Sequence, residues 1–511
     1  MEFTSNSSAF GMLVVTLLVL GLTKLVASAY KQFTYWRKRG VPHVRTIPFF
    51  GNAWQLLFER MTLPDYIKSV YNSHADTKYV GFMDFSNPTV LMRDPELIRE
   101  MGIKHFNHFT DRQSFANEAI EPLLAKSLFA LKGDRWKKMR NTMTPIFTSS
   151  KMKFMFGLFN DCSHDFFGHL YNHPELCAMV DAKETFKTYA CDVFATSLFG
   201  ISVNTLKERN NEFYREATEV NRSLNSLNMF KFALLRACPR LCQMLGMRVF
   251  PRSTVDFLHR VVADTVRIRR EKGIVRPDMI HLMMQIKEEQ NSEDITIEDM
   301  VAQAFGFFIA GFDTVSTIMS FLTFEMALNQ DIQTRLREET DRYLAEDNGK
   351  ISYEALSKME YMDMVVSETL RKHAVVPFLD RLCVEQFELP AAGPGYKSVT
   401  INPGDALWIP TFALNNDPEY FPNPEKFDPE RFSEENKARI APYTFLPFGI
   451  GPRMCIGNRF ALMEIKIMMV YLLQKFVIEP NEKTKPLLSS RMNFQMLPID
   501  GFWYTLKERD V

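Results

Sequence analysis

The sequence predicts a mainly α protein, with one large helical domain around a long central helix, small β-sheets, and a transmembrane helix at the N-terminus. Apolar residues recur at three- and four-residue spacing through most of the 511 residues, which is the pattern of amphipathic helices. The apolar run over residues 9–30 has the length needed to cross a bilayer, roughly 20 residues. Strand-like segments are short, so the sheets should be minor; they are residues 79–82, 89–93, 399–401 and 406–410.

The longest predicted helix starts at Thr296, where Asp299 three residues on would form a capping box, and it ends near Asn329. At 1.5 Å per residue it spans about 50 Å. A second membrane span is the alternative for so apolar a stretch. Asp313 and Glu325 lie inside it, however, and buried charge in lipid is costly. A helix through the core of the domain is therefore favoured.

The apolar run near the N-terminus divides the chain into three parts. Residues 1–30 are predicted to be a membrane anchor, residues 31–51 a basic and proline-containing hinge, and residues 52–511 a single domain. Four basic residues follow the apolar run, so the positive-inside rule places the rest of the chain in the cytoplasm. The alternative is a cleaved signal peptide, but its basic cluster would precede the apolar run.

The composition excludes some classes of function and favours others. Lys plus Arg (61) equals Asp plus Glu (61), which leaves no bulk positive charge for binding nucleic acid. The 44 Phe and 29 Met suit an adaptable apolar interior that holds lipophilic ligands, although core packing explains most of them. Seven cysteines in no metal-binding or disulfide spacing favour a reducing compartment, where a single thiolate can act as ligand or nucleophile.

The most informative segment surrounds Cys455. Gly451 and Gly457 permit the tight backbone turn that lets a cysteine sulfur approach a haem iron. Amide N–H groups at the start of the following helix can stabilise a thiolate. Arg453 can pair with a haem propionate through its fork of donors, and Phe448 can cover the sulfur and keep water out. The alternative is a buried, inert cysteine.

These residues match the haem-binding signature F-x-x-G-x-R-x-C-x-G, with all five specified positions filled, so the chain resembles the cytochrome P-450 family. The resemblance implies the cytochrome P-450 fold, haem b as cofactor, and Cys455 as the ligand of the iron. Glu368 and Arg371 resemble the family's E-x-x-R pair, which a spacing of three places on one helix face. Arg431, in a segment resembling P-E-R-F, would complete a structural triad, because losing one member of a buried network strands a charge.

Further residues resemble propionate contacts of the same family. Trp136 and Arg140 match the pattern W-x-x-x-R on an early helix, and Arg381 falls where the family places another propionate-binding arginine. The W-x-x-x-R spacing is weak alone, and it gains weight from the cysteine signature.

The segment midway along the long helix resembles the family's oxygen-binding motif. Thr314 would hold water or bound oxygen by hydrogen bonding, and Asp313 would pass protons inward. Gly311, beside Ala310, would keep the backbone low enough to admit oxygen. The alternative for the Thr314 hydroxyl is a hydrogen bond to the carbonyl of the preceding turn. Val315 stands where many relatives carry Thr or Ser, so the resemblance does not settle how water is arranged around Thr314.

Apolar residues beside these motifs are predicted to form the walls of a pocket for lipophilic substrates, with core packing as the alternative for each. They are Phe115, Leu124, Phe129, Phe305, Phe308, Ile309, Val375, Val376, Phe378, Phe494 and Met496. Residues 229–250 mix apolar and basic side chains, which resembles a membrane-dipping lid over the substrate channel. An amphipathic core helix is the alternative for that segment.

The resemblance implies a monooxygenase that inserts one oxygen atom from O2 into lipophilic small molecules, with electrons from NADPH through a flavoprotein reductase. Cytochrome b5 is a second implied electron donor, and the implied location is the endoplasmic reticulum membrane, with the domain on its cytoplasmic side. Residues 276–282 and the Phe-rich loops resemble the insect microsomal detoxification branch. Two alternatives stay open: a reductase-independent isomerase that rearranges peroxides, and a non-catalytic haem sensor.

Overall fold

The computed structural model describes residues 3–48, 50–58, 60–113, 118–223, 231, 234–235, 239–289, 295–487 and 497–509. Contacts along the chain divide it into two compact units. Unit 1 comprises Met1–Thr110 and Phe378–Pro410, and unit 2 comprises Asp111–Pro377 and Thr411–Val511. The predicted body, residues 52–511, contributes to both units, and its assignment as a single domain stays a prediction.

Helices and strands are numbered here along the chain. The α-helices are α1 Phe3–Lys38, α2 Trp54–Leu57, α3 Leu63–Asn72, α4 Pro95–Arg99, α5 Pro122–Lys126, α6 Gly133–Met143, α7 Ser149–Tyr171, α8 Ala182–Phe194, α9 Glu212–Ser223, α10 Pro239–Met244, α11 Arg252–Lys272, α12 Met279–Glu289, α13 Ile297–Leu328, α14 Gln330–Glu346, α15 Tyr353–Lys358, α16 Glu360–Lys372, α17 Thr411–Asn415, α18 Glu434–Lys437 and α19 Asn458–Lys475. The strands are β1 Tyr79–Asp84, β2 Asn87–Met92, β3 Val180–Asp181, β4 Leu379–Leu382, β5 Phe387–Leu389, β6 Val399–Ile401, β7 Ala406–Ile409, β8 Phe476–Glu479 and β9 Trp503–Glu508. Short 3₁₀ turns occupy Phe106–Phe109, Thr144–Phe147, Pro174–Leu176, Pro429–Phe432 and Gly451–Arg453, and π turns occupy Glu100–Lys104 and Ala195–Phe199.

Helix α13 confirms the predicted long helix. Thr296 is its N-cap: the Thr296 hydroxyl accepts the Asp299 N–H at 3.1 Å, and the Asp299 carboxylate accepts the Thr296 N–H at 3.0 Å. This is the reciprocal pairing of a capping box. Among the described residues, α13 is the one helix long and apolar enough to cross a membrane, but 67% of its most apolar window is buried inside the structure. The burial is that of a core helix.

Unit 1 is built on the four-stranded sheet β1-β2-β7-β4. Strands β1 and β2 form an antiparallel pair, β2 pairs with β7 in parallel, and β7 pairs with β4 antiparallel. Strands β5 and β6 form a separate two-stranded sheet. The four strand segments predicted from the sequence are confirmed as β1, β2, β6 and β7, and all are short.

Helix α1 runs further than the predicted anchor. It continues through the first part of the predicted hinge to Lys38, because no proline precedes Pro42 and the helix-ending Gly40 comes only after Lys38. Large apolar side chains of its first thirty residues are exposed in this structure: Met12, Val15, Val19, Leu20, Leu22, Val26 and Tyr30. Membrane insertion of this helix stays a prediction.

The last turns of α1 pack against the sheet of unit 1. The indole N–H of Trp36 donates to the carbonyl of Phe82 at 2.8 Å, and the Tyr35 hydroxyl donates to the Asp405 carboxylate at 2.7 Å. A Cβ at Gly81 would lie 2.8 Å from the Trp36 ring, so only glycine lets the ring approach β1 this closely. The first part of the predicted hinge is thus a packed element of unit 1.

Unit 2 contains a large apolar core. One continuous cluster of buried apolar side chains includes residues from Ile120 to Leu506. Helix α13 packs against α8, and α7 packs against α19. The sheet β3-β9-β8 also belongs to this unit. Because α13 is apolar on all sides, it can be surrounded by other helices for most of its length.

Glu368, Arg371 and Arg431 lie together in unit 2. Arg371 donates to both oxygens of Glu368, at 2.7 and 2.8 Å, and neither side chain is exposed. Arg371 also donates to the carbonyls of Asn415 and Pro424. The Nε atom of Arg431 lies 3.5 Å from Glu368 Oε1. The network therefore joins α16 to the segment that precedes the Cys455 loop.

Removing one member of this network should be costly. Glu368→Ala would leave Arg371 buried without its anion, so we expect unfolding free energy to fall by about 3–5 kcal/mol in chemical denaturation. The matched control is Glu435→Ala, which breaks an exposed pair with Arg439 and should leave stability unchanged. Equal losses for the two variants would contradict a structural role of the network.

Candidate active site

The Cys455 loop precedes α19 and folds back on itself. The Cys455 N–H donates to the Phe448 carbonyl at 2.8 Å. Gly449 and Gly451 have φ angles of 88° and 68°, the left-handed region that favours glycine. Gly457 lies in the predicted turn directly before α19, but its φ of −90° is one that any residue adopts, so the turn does not require glycine there. Gly449 supplies the second left-handed position instead.

The environment of the Cys455 sulfur acts on its ionisation in both directions. Its side chain is accessible on one side, while protein atoms enclose the remainder. This enclosure raises the pKa of the Cys455 thiol, and the backbone N–H of Gly457 and the positive charges of Arg112 and Arg140 lower it. The predicted N–H contribution at the start of the helix is thus present, and it is the contact that Gly457 makes. Binding a cation to the sulfur would complete the deprotonation.

Arg453 and Trp136 meet beside this loop. The buried Arg453 guanidinium lies 4.0 Å from the centre of the Trp136 ring, a cation–π contact. It donates to the Leu131 carbonyl at 2.8 Å and lies 3.7 Å from Asp111 Oδ1. Two side chains predicted to bind propionates are therefore in direct contact. Arg140, one turn after Trp136 on α6, lies near enough to Cys455 for their charges to interact.

Arg112 is a site residue that sequence reasoning missed. Its guanidinium lies 4.7 Å from the centre of the Phe129 ring and donates to the Arg453 carbonyl at 3.4 Å. Its charge lowers the pKa of the Cys455 thiol. In the sequence, Arg112 is marked only by the adjacent Asp111, and a neighbouring acid and base do not by themselves indicate a site. Arg381 lies in unit 1, buried on β4, and its propionate-binding role stays a prediction.

The loop that carries Phe129 is fixed to α13. The Gln303 side chain accepts the Leu128 N–H at 2.8 Å and donates to the Lys126 carbonyl at 2.9 Å. A Cβ at Gly306 would lie 2.7 Å from the Ser127 side chain, so the two segments approach closely. Helix α13 is therefore joined by one short, hydrogen-bonded loop to the arginines near Cys455, which are Arg112, Arg140 and Arg453.

Ala310 is exposed and Thr314 is half-buried on α13. Phe312, Asp313 and Val315, between and beside them, are buried. Ala310 and Thr314 are four residues apart and share a helix face. The Thr314 hydroxyl donates to the Ala310 carbonyl at 2.6 Å, which is the alternative that we weighed for it. Its lone pairs stay able to accept a hydrogen bond. The predicted role of Thr314 in oxygen activation therefore stays a prediction.

Gly311 and Asp313 have partners on α8. A Cβ at Gly311 would lie 2.4 Å from the Phe194 ring, so close packing against α8 requires glycine here, and the predicted role of Gly311 in admitting oxygen stays a prediction. Asp313 is only 4% exposed, and its Oδ1 lies 3.0 Å from the ammonium of Lys183. Sequence reasoning missed Lys183, because an isolated lysine on an amphipathic helix carries no signal of burial.

The predicted substrate residues divide into three groups. Phe115, Phe494 and Met496 lie outside the described residues. Phe378 belongs to unit 1, where it stacks on Trp408 at 3.8 Å. The remaining seven lie in unit 2, and their substrate roles stay predictions.

Within unit 2, burial separates the seven residues further. Leu124, Phe305 and Phe308 are buried, and Phe308 stacks on Phe312 at 5.1 Å, as core packing requires. Phe129 and Val376 are each 45% exposed, and Ile309 and Val375 are half-buried. The last four are the better candidates for contact with a ligand.

The chemistry of the residues around Cys455 fits a haem. A cysteine sulfur is a suitable axial ligand for haem iron. Arg112, Arg140 and Arg453 supply the planar donors that bind carboxylates, as the haem propionates require. Trp136 supplies an apolar surface beside them.

Comparison with known proteins agrees with this chemistry. The sequence profile of the family described as Cytochrome P450 matches residues 41–503, which include every motif residue discussed above. Cytochrome P450 9e2 of Blattella germanica is 42% identical over 505 residues, covering 93% of this chain and 94% of that protein. Cytochrome P450 9b2 of Drosophila melanogaster is 37% identical, and Cytochrome P450 6j1 of Blattella germanica is 34% identical; each match covers 97% of this chain and 98% of the relative.

These findings confirm the resemblance to insect enzymes that the sequence motifs indicated. The chain belongs to the cytochrome P450 family and is a cytochrome P450 monooxygenase, with haem as the cofactor of the family.

Proposed function

We propose that the protein inserts one oxygen atom from O2 into lipophilic small molecules: xenobiotics such as insecticides and plant compounds, and endogenous lipids. Electrons come from NADPH through a flavoprotein reductase, with cytochrome b5 as a second donor. The observation that carries the proposal is an accessible cysteine among arginines in the same unit as an acid–alcohol pair on α13. A peroxide-rearranging isomerase commonly lacks that pair, and a haem sensor has no need of it.

Cys455 would be the ligand of the haem iron. Within unit 2, the propionates would be held by Trp136 and by the arginines Arg112, Arg140 and Arg453. When bound, the haem supplies the metal at which O2 is reduced and cleaved, and a thiolate ligand favours that cleavage. The Gly457 N–H and the charges of Arg112 and Arg140 favour the thiolate, and the bound iron would complete the deprotonation that enclosure opposes.

Thr314 and Asp313 would control protons. The Thr314 hydroxyl, fixed by its hydrogen bond to Ala310, presents lone pairs that can accept a hydrogen bond from a water at the accessible face of α13. Asp313 would relay protons through its carboxylate, because a buried acid can carry a proton where bulk water is limited. A limited water supply matters, since excess water diverts reducing equivalents from product.

Substrate would be bound by apolar contacts. Phe129, Ile309, Val375 and Val376 are the accessible or half-buried members of the predicted pocket within unit 2. All four side chains are apolar, so a pocket that they line would select for lipophilicity and shape. The basic residues Arg135, Lys137 and Lys138 are exposed on α6 and are proposed as part of the docking face for the reductase.

The membrane would hold the protein at two places. The predicted anchor, residues 1–30, would lie in the endoplasmic reticulum membrane, with the chain that follows it on the cytoplasmic side. Leu241, Met244 and Leu245 are exposed and apolar near Arg240 and Arg248, as a membrane-dipping segment requires. Lipophilic substrates would then enter from the bilayer.

The ligand role of Cys455 has a direct spectroscopic test. Cys455→Ser replaces the soft sulfur by a hydroxyl, so the reduced-CO absorption band of a thiolate haem should be lost. Cys162→Ser, at a half-buried cysteine on α7, is the matched control and should keep the band. An unchanged band in Cys455→Ser would contradict the assignment.

The role of Thr314 is tested by coupling, the product formed per NADPH consumed. Thr314→Ala should keep haem binding and NADPH consumption, because the hydroxyl supplies no ligand to the iron. Product should fall at least about tenfold and hydrogen peroxide should rise, since a general acid–base step is worth about 10²–10⁴-fold.

Thr323→Ala is the control for that experiment. The Thr323 hydroxyl also donates to the carbonyl four residues before it, but its side chain is buried. It should keep normal coupling. Normal coupling in Thr314→Ala as well would contradict the role of Thr314 and favour the peroxide-rearranging alternative.

The anchor is tested by truncation. Removing residues 1–30 should release most of the protein from carbonate-washed membranes, because those residues carry the proposed span. The truncated protein should keep some affinity for the membrane through the Leu241–Leu245 region, and high salt should reduce that affinity. Complete retention of the truncated protein, insensitive to carbonate and high salt, would show that another segment is integral to the membrane.

A further inference from the structure

Lys183 is a buried lysine that the mechanism above does not use. It lies in the first turn of α8 and is 8% exposed. Lysine is seldom buried without a partner, because removing its charge from water is costly. Burial lowers the pKa of Lys183 to about 8, and the charge of Asp313 favours the ammonium form. The charge of Asp181 likewise favours the ammonium form of Lys183, whereas the charge of Lys187 disfavours it.

The ammonium of Lys183 contacts four oxygen atoms of α13. Its Nζ lies 3.0 Å from Asp313 Oδ1, 3.0 Å from the Asp313 carbonyl, 3.0 Å from the Ser316 hydroxyl and 2.5 Å from the Thr317 hydroxyl. An ammonium group has three protons to donate, so this set can satisfy it fully. All four oxygens belong to the turn that contains Thr314.

The two hydroxyls close the network around Asp313. Ser316 donates to the Asp313 carbonyl at 3.1 Å, and Thr317 donates to it at 2.7 Å. Their protons thus point to that carbonyl, and their lone pairs accept from Lys183. Side chain and backbone of Asp313 are held by one charged group on another helix.

We propose that Lys183 is a positioning residue for oxygen activation: it fixes the Asp313 carboxylate and the turn around Thr314, so that proton delivery stays coupled to product formation. The inference rests on the proposed function of the Asp313–Thr314 pair. The alternative is that the ion pair of Lys183 and Asp313 is purely structural. Breaking it would then affect folding and leave coupling unchanged.

The experiment uses full-length protein in membranes with NADPH-dependent reductase and an alkoxycoumarin that fluoresces on O-dealkylation. Lys183→Met removes the charge at similar length, and Lys183→Arg retains it. Lys187→Met, one turn further along α8, is the matched control. Each variant is measured for the reduced-CO band, NADPH consumption, product and hydrogen peroxide.

We expect Lys183→Met to keep the CO band and NADPH consumption while product per NADPH falls at least about tenfold and peroxide rises. Lys183→Arg should recover most of the coupling, and Lys187→Met should match the wild type at neutral pH, where Lys183 is protonated in both proteins. Wild-type coupling should fall as the pH rises through about 8, where Lys183 loses its proton. Lys183→Arg should show no such fall, because a guanidinium stays charged.

Normal coupling in Lys183→Met would overturn the proposal. If that variant loses the CO band, the dependence of coupling on pH in Lys183→Arg decides between the two roles. Coupling that does not change with pH supports the positioning role, and coupling that falls in parallel with the wild type contradicts it.

The midpoint of thermal unfolding gives a readout independent of turnover. Lys183→Met should lower it, and adding Asp313→Asn should recover part of the loss, because no unpaired charge then remains. Absence of wild-type product would instead contradict the proposed function.

Discussion

A cysteine sulfur that must carry negative charge inside a protein is the constraint on which the site depends. Enclosure by protein atoms raises the pKa of the Cys455 thiol, so the surroundings have to supply compensation. The Gly457 N–H, Arg112 and Arg140 each lower the pKa, but enclosure outweighs them, so a bound iron would complete the deprotonation. The loop reaches this geometry through two left-handed glycines, Gly449 and Gly451, and through the hydrogen bond from Cys455 to Phe448.

The neighbouring elements serve to hold this loop in place. The buried pair of Glu368 and Arg371 fixes backbone carbonyls of the segment before the loop. Arg453 ties the loop to α6 through Trp136, and the Leu128 segment continues that connection to α13 through Gln303. A buried charge network is weak as a source of stability, but it is costly to break, which suits it to fixing a loop.

Much of this arrangement could be predicted from the sequence because the signals are local. The capping box at Thr296, the four short strands and the pairing of Glu368 with Arg371 all depend on spacings of a few residues. The features that sequence reasoning missed depend on partners far along the chain. Gly311 owes its identity to Phe194, and Asp313 is paired with Lys183, both on α8.

Boundaries and single positions were predicted less well for the same reason. Helix α1 continues past the predicted anchor to Lys38, and its last turns pack on β1 through Trp36 and Gly81, a contact between residues far apart in the chain. Arg112 is placed near Cys455 by its contacts with Phe129 and Arg453. Neither residue shares a sequence motif with Arg112. Phe305 and Phe308, predicted to line the pocket, are occupied by ring contacts within the core.

The central claim is that one atom of O2 enters the substrate at this site. Turnover of a lipophilic hydrocarbon under O2 enriched in the heavy oxygen isotope, with NADPH and reductase, measures it directly by mass spectrometry of the hydroxylated product. The account predicts one heavy oxygen atom in each hydroxylated product, with none taken from water, and no product when NADPH is omitted. Product formed without NADPH, or product whose oxygen comes from water or from the substrate itself, would contradict it.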